Sequence, residues 1–172
     1  GENIDRRFDF VVDCRGTGAR ASLNALRTVR GESILLHAPE VSLKRPIRML
    51  HPRYPLYVVP REHNHYLIGA TQIESDDLSP ISVQSVLELL SSAVLLHPGF
   101  KDSRIVTLGA NCRPAFFDNR PKIIVRSKSM FINGLFRHGF MCAPAILSEC
   151  VSFLECGHFS DAFSQAFVVN EN

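Results

Sequence analysis

An arginine set in an apolar run is the first residue of this sequence whose chemistry stands out. In NCRPAFFDN, residues 111–119, Arg113 lies between Cys112 and Pro114, ahead of Ala115, Phe116, Phe117 and Asp118. A guanidinium is permanently charged, and its planar fork takes a carboxylate through two parallel hydrogen bonds, which a lysine cannot copy. The same fork also serves as half of a buried ion pair with Asp118, Asp9 or Asp13, because buried arginines are usually paired. Spacing leaves both readings open. Tyr57, in PLYVVPR (55–61), is either a core aromatic or a phenol donating a hydrogen bond to a carboxylate from an apolar wall. In GLFRHGFMCAPA (134–145) a glycine-bounded turn runs into a helix start. There, backbone N–H groups and the positive end of the helix dipole converge and favour an anion or an electron-rich carbonyl. An ordinary loop ahead of a helix carries the same signature.

The remaining titratable residues exclude more than they assign. Lysine plus arginine number 19 against 17 acids, a formal net charge of +2, too balanced for a polyanion surface, so no nucleic-acid partner is expected. Lys44, Arg45, Arg48 and Arg53 form a basic string that reads as a solvated face or subunit contact, with a phosphate surface as the alternative. His63-Asn64-His65 lacks a third ligand at workable spacing, so it reads as a polar turn and no metal is expected. The five cysteines, Cys14, Cys112, Cys142, Cys150 and Cys156, are odd in number and never spaced as CxxC. They read as reduced thiols packed as small hydrophobes, in a cytoplasmic setting. No signal peptide, apolar run of membrane-spanning length or membrane span is expected.

These residues need a scaffold, and 172 residues with 45% hydrophobic content can bury a real core. Residues 8–14 (FDFVVDC) read as a strand buried on both faces and ending in a turn at 15–18. Residues 33–37, 47–51, 56–61 and 65–71 follow as short strands, the last two forming a hairpin about Glu62-His63-Asn64. The period then changes: Val83, Val86, Leu87, Leu90 and Val94 mark an amphipathic helix, opened at Ser79-Pro80 or Ser82 and stopped at His97-Pro98-Gly99. Residues 104–108 return to strand, and 121–125 with 130–132 read as a second hairpin. A final helix is expected to open at Pro144, bury Leu147, Cys150, Val151 and Leu154, and stop at Gly157. The tail after His158 carries no assignment. The expected class is α+β, with a mixed or antiparallel sheet and flanking helices.

FDFVVDCRGTGAR (8–20), VRGE (29–32), YVVPR (57–61), YLIGATQIES (66–75), CRPAFFDNRP (112–121) and GLFRHGFMCAPA (134–145) occur in this order. Together they resemble the flavin-dependent D-amino-acid oxidase superfamily, and above all its bacterial glycine-oxidase branch, which serves thiamine synthesis. The stretch RPIRMLHPRYPLYVVPR (45–61) is especially similar to that branch, and the likeness runs from Phe8 to Leu154.

The resemblance implies that Arg113 holds the substrate carboxylate, that Tyr57 assists it, that Arg137 lies near the substrate and that Gln72 tunes pocket size. It places Leu135, Phe136, Arg137, His138, Gly139, Phe140 and Met141 against the ring of FAD; Leu135 stands where relatives often carry a histidine. Some sarcosine-type relatives attach their flavin through a cysteine near Cys112, which is expected to be unmodified here. No G-x-G-x-x-G turn for the ADP half of FAD is present, and Gly16-Thr17-Gly18 follows the wrong strand and lacks the third glycine.

The chain therefore looks like the C-terminal part of a longer enzyme. Residues 1–20 would close the FAD-binding domain, 21–133 form the substrate-binding domain, and 134–172 return to the flavin. The implied activity is oxidation of glycine or a similarly small amino acid by hydride transfer to flavin, with oxygen as second substrate and peroxide released. The imine would hydrolyse or pass to thiazole-synthesis proteins, and a homo-oligomer is expected. Sarcosine or D-amino-acid oxidation, a quinone-linked dehydrogenase and a non-catalytic binding module are the alternatives.

Overall fold

The computed structural model describes residues 8–50 and 56–170, without the side chain of Asn170; His51 and Arg53 lie outside the described residues. In chain order the first elements are β1 (Val11–Asp13), a 3-10 turn (Gly16–Ala19), β2 (Arg27–His37), β3 (Ile47–Met49), β4 (Leu56–Pro60), β5 (His65–Gly69) and β6 (Ile73–Glu74). They are followed by α1 (Val83–Leu96), a second 3-10 turn (Pro98–Asp102), β7 (Arg104–Ala115), β8 (Lys122–Arg126), β9 (Ser129–Asn133), α2 (Gly139–Cys156), α3 (Asp161–Phe167) and β10 (Val168–Asn170). The class is α+β, as expected. The residues form two compact units: Val29–Cys112 is one, and the segments before and after it make the other.

The Val29–Cys112 unit is built on a six-stranded sheet with the order β3-β4-β5-β2-β6 and β7 beside β2. Alternation of side chains along each strand puts Ile34, Leu36, Leu56, Val58, Tyr66 and Ile68 on one face, where they pack with Leu89, Ala93 and Phe100. The β4–β5 hairpin turns at the expected residues, and His63 and Asn64 adopt the left-handed backbone that such a tip requires. Its register pairs Tyr57 with Gly69, Val58 with Ile68 and Val59 with Leu67.

Helix α1 starts at Ser82, whose hydroxyl accepts from the Ser85 N–H, and ends at His97. Its buried centre line is Ser85, Leu89 and Ala93, with Val86, Leu90 and Val94 packed partly against the core. Val83 and Leu87, expected on the core face, point outward at 77% and 61% exposure. The small residues at 85 and 93 let the helix approach the sheet, and this close approach selects the buried line over the more hydrophobic one.

A charged pair lies inside this unit. Arg30 and Glu32 are 4% and 1% exposed, and Arg30 donates to Glu32 Oε1 from Nε at 3.1 Å and Nη2 at 2.8 Å. Arg30 also donates to the carbonyls of Asp77 and Pro80, while Glu32 accepts from the Thr71 hydroxyl and the Ser82 N–H. The pair thus fastens the 71–82 connection and the start of α1 onto β2. Burial alone would raise the Glu32 carboxyl, but hydrogen bonds from Ser85, Arg30, Ser82 and Thr71 outweigh it and hold the group below its usual value. A carboxyl depressed on folding contributes stability above its unfolded-state pKa and loses it as pH falls through the folded value. The unit is therefore expected to lose stability below about pH 4.5, the ordinary value of this carboxyl, and a Glu32→Gln variant to show a shallower acid limb when unfolding is followed by circular dichroism.

The second unit holds the sheet β1-β9-β8-β10. β1 runs parallel to β9, β8 and β9 form the expected hairpin, and β10 runs parallel to β8. β1 lies at the end of this sheet, and it is not buried on both faces as expected: Val12 is 40% exposed while Asp13 is 8% exposed. Two clusters form the interior, one of Ala19, Leu23, Leu26, Phe116, Ile124 and Phe131, the other of Ile123, Met130, Ile146, Cys150 and Phe159.

Helix α2 corrects the sequence reading most. It opens at Gly139 and carries Pro144 inside it, because the peptide before a proline can stay helical when the proline lies within the first turns, where few backbone bonds are lost. Its buried residues are Ile146 and Cys150, whereas Leu147, Val151 and Leu154 are exposed. At eighteen residues and mean hydropathy 1.4 it is long and apolar enough to cross a membrane by length and composition, contrary to the expectation that no such run exists; an assumed start at Pro144 hides it. Here Ile146 and Cys150 seat it on the cluster that includes Ile123 and Met130. The tail is also structured, since Phe159, Phe163 and Phe167 recur every fourth residue and their rings pack in series from Phe153 onward.

Candidate functional site

The candidate residues fall in both units, and each group has its own local geometry. In the Val29–Cys112 unit, the sheet face opposite the core carries Tyr57 on β4, Gly69 on β5 and Ser33 on β2 in one cross-strand row, with Arg48 of β3 directly across from Tyr57 on the other side. Tyr57 is half-buried and lies outside the core cluster. Gln72 is exposed, directly after Thr71, whose hydroxyl and N–H are both bonded to Glu32. The Cys112 thiol donates to the carbonyls of Ser75 and Asp77, each at 3.5 Å. The turn carrying Gln72 is thus tied at both ends, to Glu32 and to the last residue of this unit. A separate open depression on the hairpin is lined by Leu35, Pro60, Arg61, Glu62 and His65.

In the other unit, Arg113 is half-buried near the end of β7. Asp13 is engaged by Arg15, whose Nε and Nη2 donate to one carboxylate oxygen at 3.0 and 2.6 Å while the Arg15 N–H takes the other. That side-chain bond is the main cause holding the Asp13 carboxyl below its usual range. Asp118 accepts from the Arg120 N–H, which lowers its carboxyl, and lies 3.7 Å from Lys122. One residue beyond Arg113, the Pro114 carbonyl accepts from the Phe136 N–H at 3.2 Å. The strand end with Arg113 and the turn with Arg137 are thereby brought together.

That turn is shaped by two residues. Gly134 has a left-handed φ of 75°, and the Phe116 ring stands where a Cβ would be, so no other residue fits without moving a buried ring. Phe136, with φ of 50°, turns the chain back toward its own strand. The Leu135 side chain packs against the sheet cluster. Gly139, Phe140 and Met141 form the first turn of α2, not the loop before it, so their N–H groups have no intrahelical acceptor. Phe140 is 99% exposed and Met141 73% exposed.

Burial pushes the Cys150 thiol up to about 11, which leaves it protonated and inert at neutral pH. At the hairpin tip, His65 Nδ1 lies 3.0 Å from the Glu62 carbonyl. Among the described residues no group of three or more histidine, cysteine or acidic side chains gathers as a metal site would. Two positioning features escape sequence reasoning. VRGE contains the Arg30–Glu32 pair, visible only as alternating charges in a strand otherwise apolar enough to be central. Gly69 sits in YLIGAT as an unremarkable strand-end glycine, and only the register reveals what lies above it.

Comparison with known proteins places the fold and the family. The chain is 48% identical over 145 residues to the Rhizobium etli thiamine biosynthesis oxidoreductase ThiO, covering 84% of the chain and 44% of that protein. It is 28% identical over 131 residues to the glycine oxidase of Geobacillus kaustophilus, covering 74% of the chain and 34% of that protein. The chain thus spans less than half the length of these relatives. Its fold matches iminodiacetate oxidase from Chelativorans sp. BNC1 with TM-score 0.79 over 96% of this chain and 47% of that one, at 19% identity. The glycine oxidase structure from Geobacillus kaustophilus gives TM-score 0.78 over 95% and 46%, at 23% identity. Residues 1–149 match the model of the FAD dependent oxidoreductases, and this chain belongs to that family, the DAO family.

Proposed function

We propose that this chain supplies the substrate sheet and the cofactor-facing loop of an FAD-dependent amino-acid oxidase that acts on glycine or a similarly small amine, as part of a longer protein that completes the FAD site. The observation that carries this reading is the Phe136–Pro114 hydrogen bond, which ties the strand end next to Arg113 to the turn that opens into a helix start. The residues fit FAD: the N–H groups of Gly139, Phe140 and Met141 emerge together at the positive end of α2, with Leu135, Phe136, Arg137 and His138 leading into it. Such an end suits the electron-rich pyrimidine edge of a flavin. When bound, FAD supplies the acceptor for the hydride equivalent leaving the substrate.

The chain's own part is binding and orientation. Arg113 takes the carboxylate in its fork, Tyr57 donates a hydrogen bond to it, and Arg137 adds positive charge at the turn. A carboxylate held in the arginine fork restricts the orientation of the α-carbon of a small amino acid, and that entropy is removed from the barrier. Gln72 limits the space for a side chain. No general base is required from this chain, in keeping with histidines that lie apart from Arg113 and Tyr57 in the sequence. The outward apolar residues of α2, Phe140, Met141, Leu147, Val151 and Leu154, are suited to be covered by the rest of the cofactor domain. Similarity to a protein named for thiamine biosynthesis supports delivery of the imine to thiazole-synthesis proteins; a cytoplasmic setting and a homo-oligomer belong to the same proposal.

The test is product formation by the full-length holoenzyme. Glycine is expected to give ammonia and hydrogen peroxide in equal amounts while consuming oxygen. Turnover of sarcosine or D-alanine with none of glycine would overturn the substrate, and no turnover of any amine would leave a binding module as the better account.

A further inference from the structure

The register of the β4–β5 hairpin puts Tyr57 directly across from Gly69, on the face away from the core. A Cβ on Gly69 would lie 2.6 Å from the Tyr57 hydroxyl, 2.7 Å from Cζ and 2.9 Å from Cε2. Those separations are far inside van der Waals contact, so the outer end of the phenol occupies the very space that any side chain at position 69 would need. The ring therefore leans across its neighbouring strand, and its hydroxyl sits over Gly69 of β5 instead of standing upright above β4. Cross-strand pairs normally meet side chain to side chain. Here one partner has been reduced to hydrogen, and the aromatic ring lies down in the gap.

We infer that Gly69 is a positioning residue that sets where the Tyr57 hydroxyl is presented, and so fixes the second contact to the substrate carboxylate. This rests on the proposed role of Tyr57. Gly69 touches no substrate itself; it acts by being absent as a side chain. Its φ is not in the left-handed region, so what stands against a side chain here is the ring above it. Hydrophobic content and strand propensity would both favour valine or threonine at a buried position of this kind, which makes the glycine costly unless the space it vacates is used. A substitution here lifts the ring by rotating the half-buried tyrosine about its side-chain bonds. The hydroxyl then moves off its target while the sheet beneath keeps its pairing.

The experiment is a double-mutant cycle on the full-length holoenzyme, with glycolate as the probe. Glycolate keeps the carboxylate of glycine and replaces its amine with a hydroxyl, and its Kd is read by calorimetry. Tyr57→Phe is expected to weaken glycolate roughly tenfold, the loss of one hydrogen bond to a charged group. Gly69→Ala is expected to weaken it by a similar factor with little change in Tm, and the double variant to bind no worse than either alone, because both changes remove the same contact. If Tyr57→Phe weakens binding but Gly69→Ala leaves it unchanged, or if the two factors multiply, Gly69 does not act through the hydroxyl and the inference is overturned. If Tyr57→Phe itself has no effect, the role of Tyr57 fails, and the inference with it. Should Gly69→Ala melt early, Tyr57→Val is added to it: with no ring to collide, Tm is expected to return, and failure to recover counts against the inference.

Discussion

Arg113→Lys is expected to raise the KM for glycine about a hundredfold in the full-length enzyme, with kcat changing much less. The fork of an arginine makes two parallel charge-assisted hydrogen bonds to one carboxylate, and a lysine at the same place keeps the charge but offers only a point. The lost contact is worth on the order of 2 to 4 kcal/mol in a site that excludes water, and each 1.4 kcal/mol is about tenfold in affinity. Arg113 is only half-buried, which puts the effect toward the lower end of that range. Binding lost equally from ground state and transition state appears in KM. Steady-state kinetics with glycine settle it, and an unchanged KM would remove Arg113 from the carboxylate site.

Glu32→Ala is expected to cost about 3 to 5 kcal/mol of stability, because it leaves the Arg30 guanidinium buried with its carboxylate partner gone. Arg30 is 4% exposed and would keep the Asp77 and Pro80 carbonyls, with the exposed Asp77 carboxylate 3.5 Å away in place of the buried Glu32. Replacing both charges together, as Arg30→Met with Glu32→Leu, is expected to cost much less, since no charge is then stranded in the interior. Urea unfolding followed by circular dichroism distinguishes the two: a midpoint for the double replacement as low as that for Glu32→Ala would show that the pair matters for its shape and not for its charge balance.

What the sequence made legible follows period and punctuation. The β4–β5 hairpin was visible in its tip, Glu62-His63-Asn64, because two residues tolerant of left-handed backbone sit between alternating apolar runs. Helix α1 was visible in its cap and stop, but not in its buried line: Ser85 and Ala93 lie under the helix because they are small, a fact of packing that hydrophobicity does not rank. The start of α2 was obscured by Pro144, which marks a first turn in most helices yet here lies further in. The tail carried its own signal in the four-residue spacing of Phe159, Phe163 and Phe167. At the candidate site, Arg113, Tyr57, Gln72 and the 134–141 turn stood out by residue type and by resemblance. Gly69 and the Arg30–Glu32 pair could not, since their roles exist only once strands are paired and the connection from 71 to 82 is folded over them.

The measurement that bears most directly on the central claim is the visible spectrum of the full-length holoenzyme, recorded without oxygen before and after glycine is added. The account predicts that the oxidised flavin band is lost on mixing with glycine and returns when air is admitted, and that Arg113→Lys shifts the glycine concentration giving half the maximal bleaching rate upward by about a hundredfold. A flavin band that glycine leaves untouched at saturating concentration, in a preparation that binds FAD fully, would contradict it.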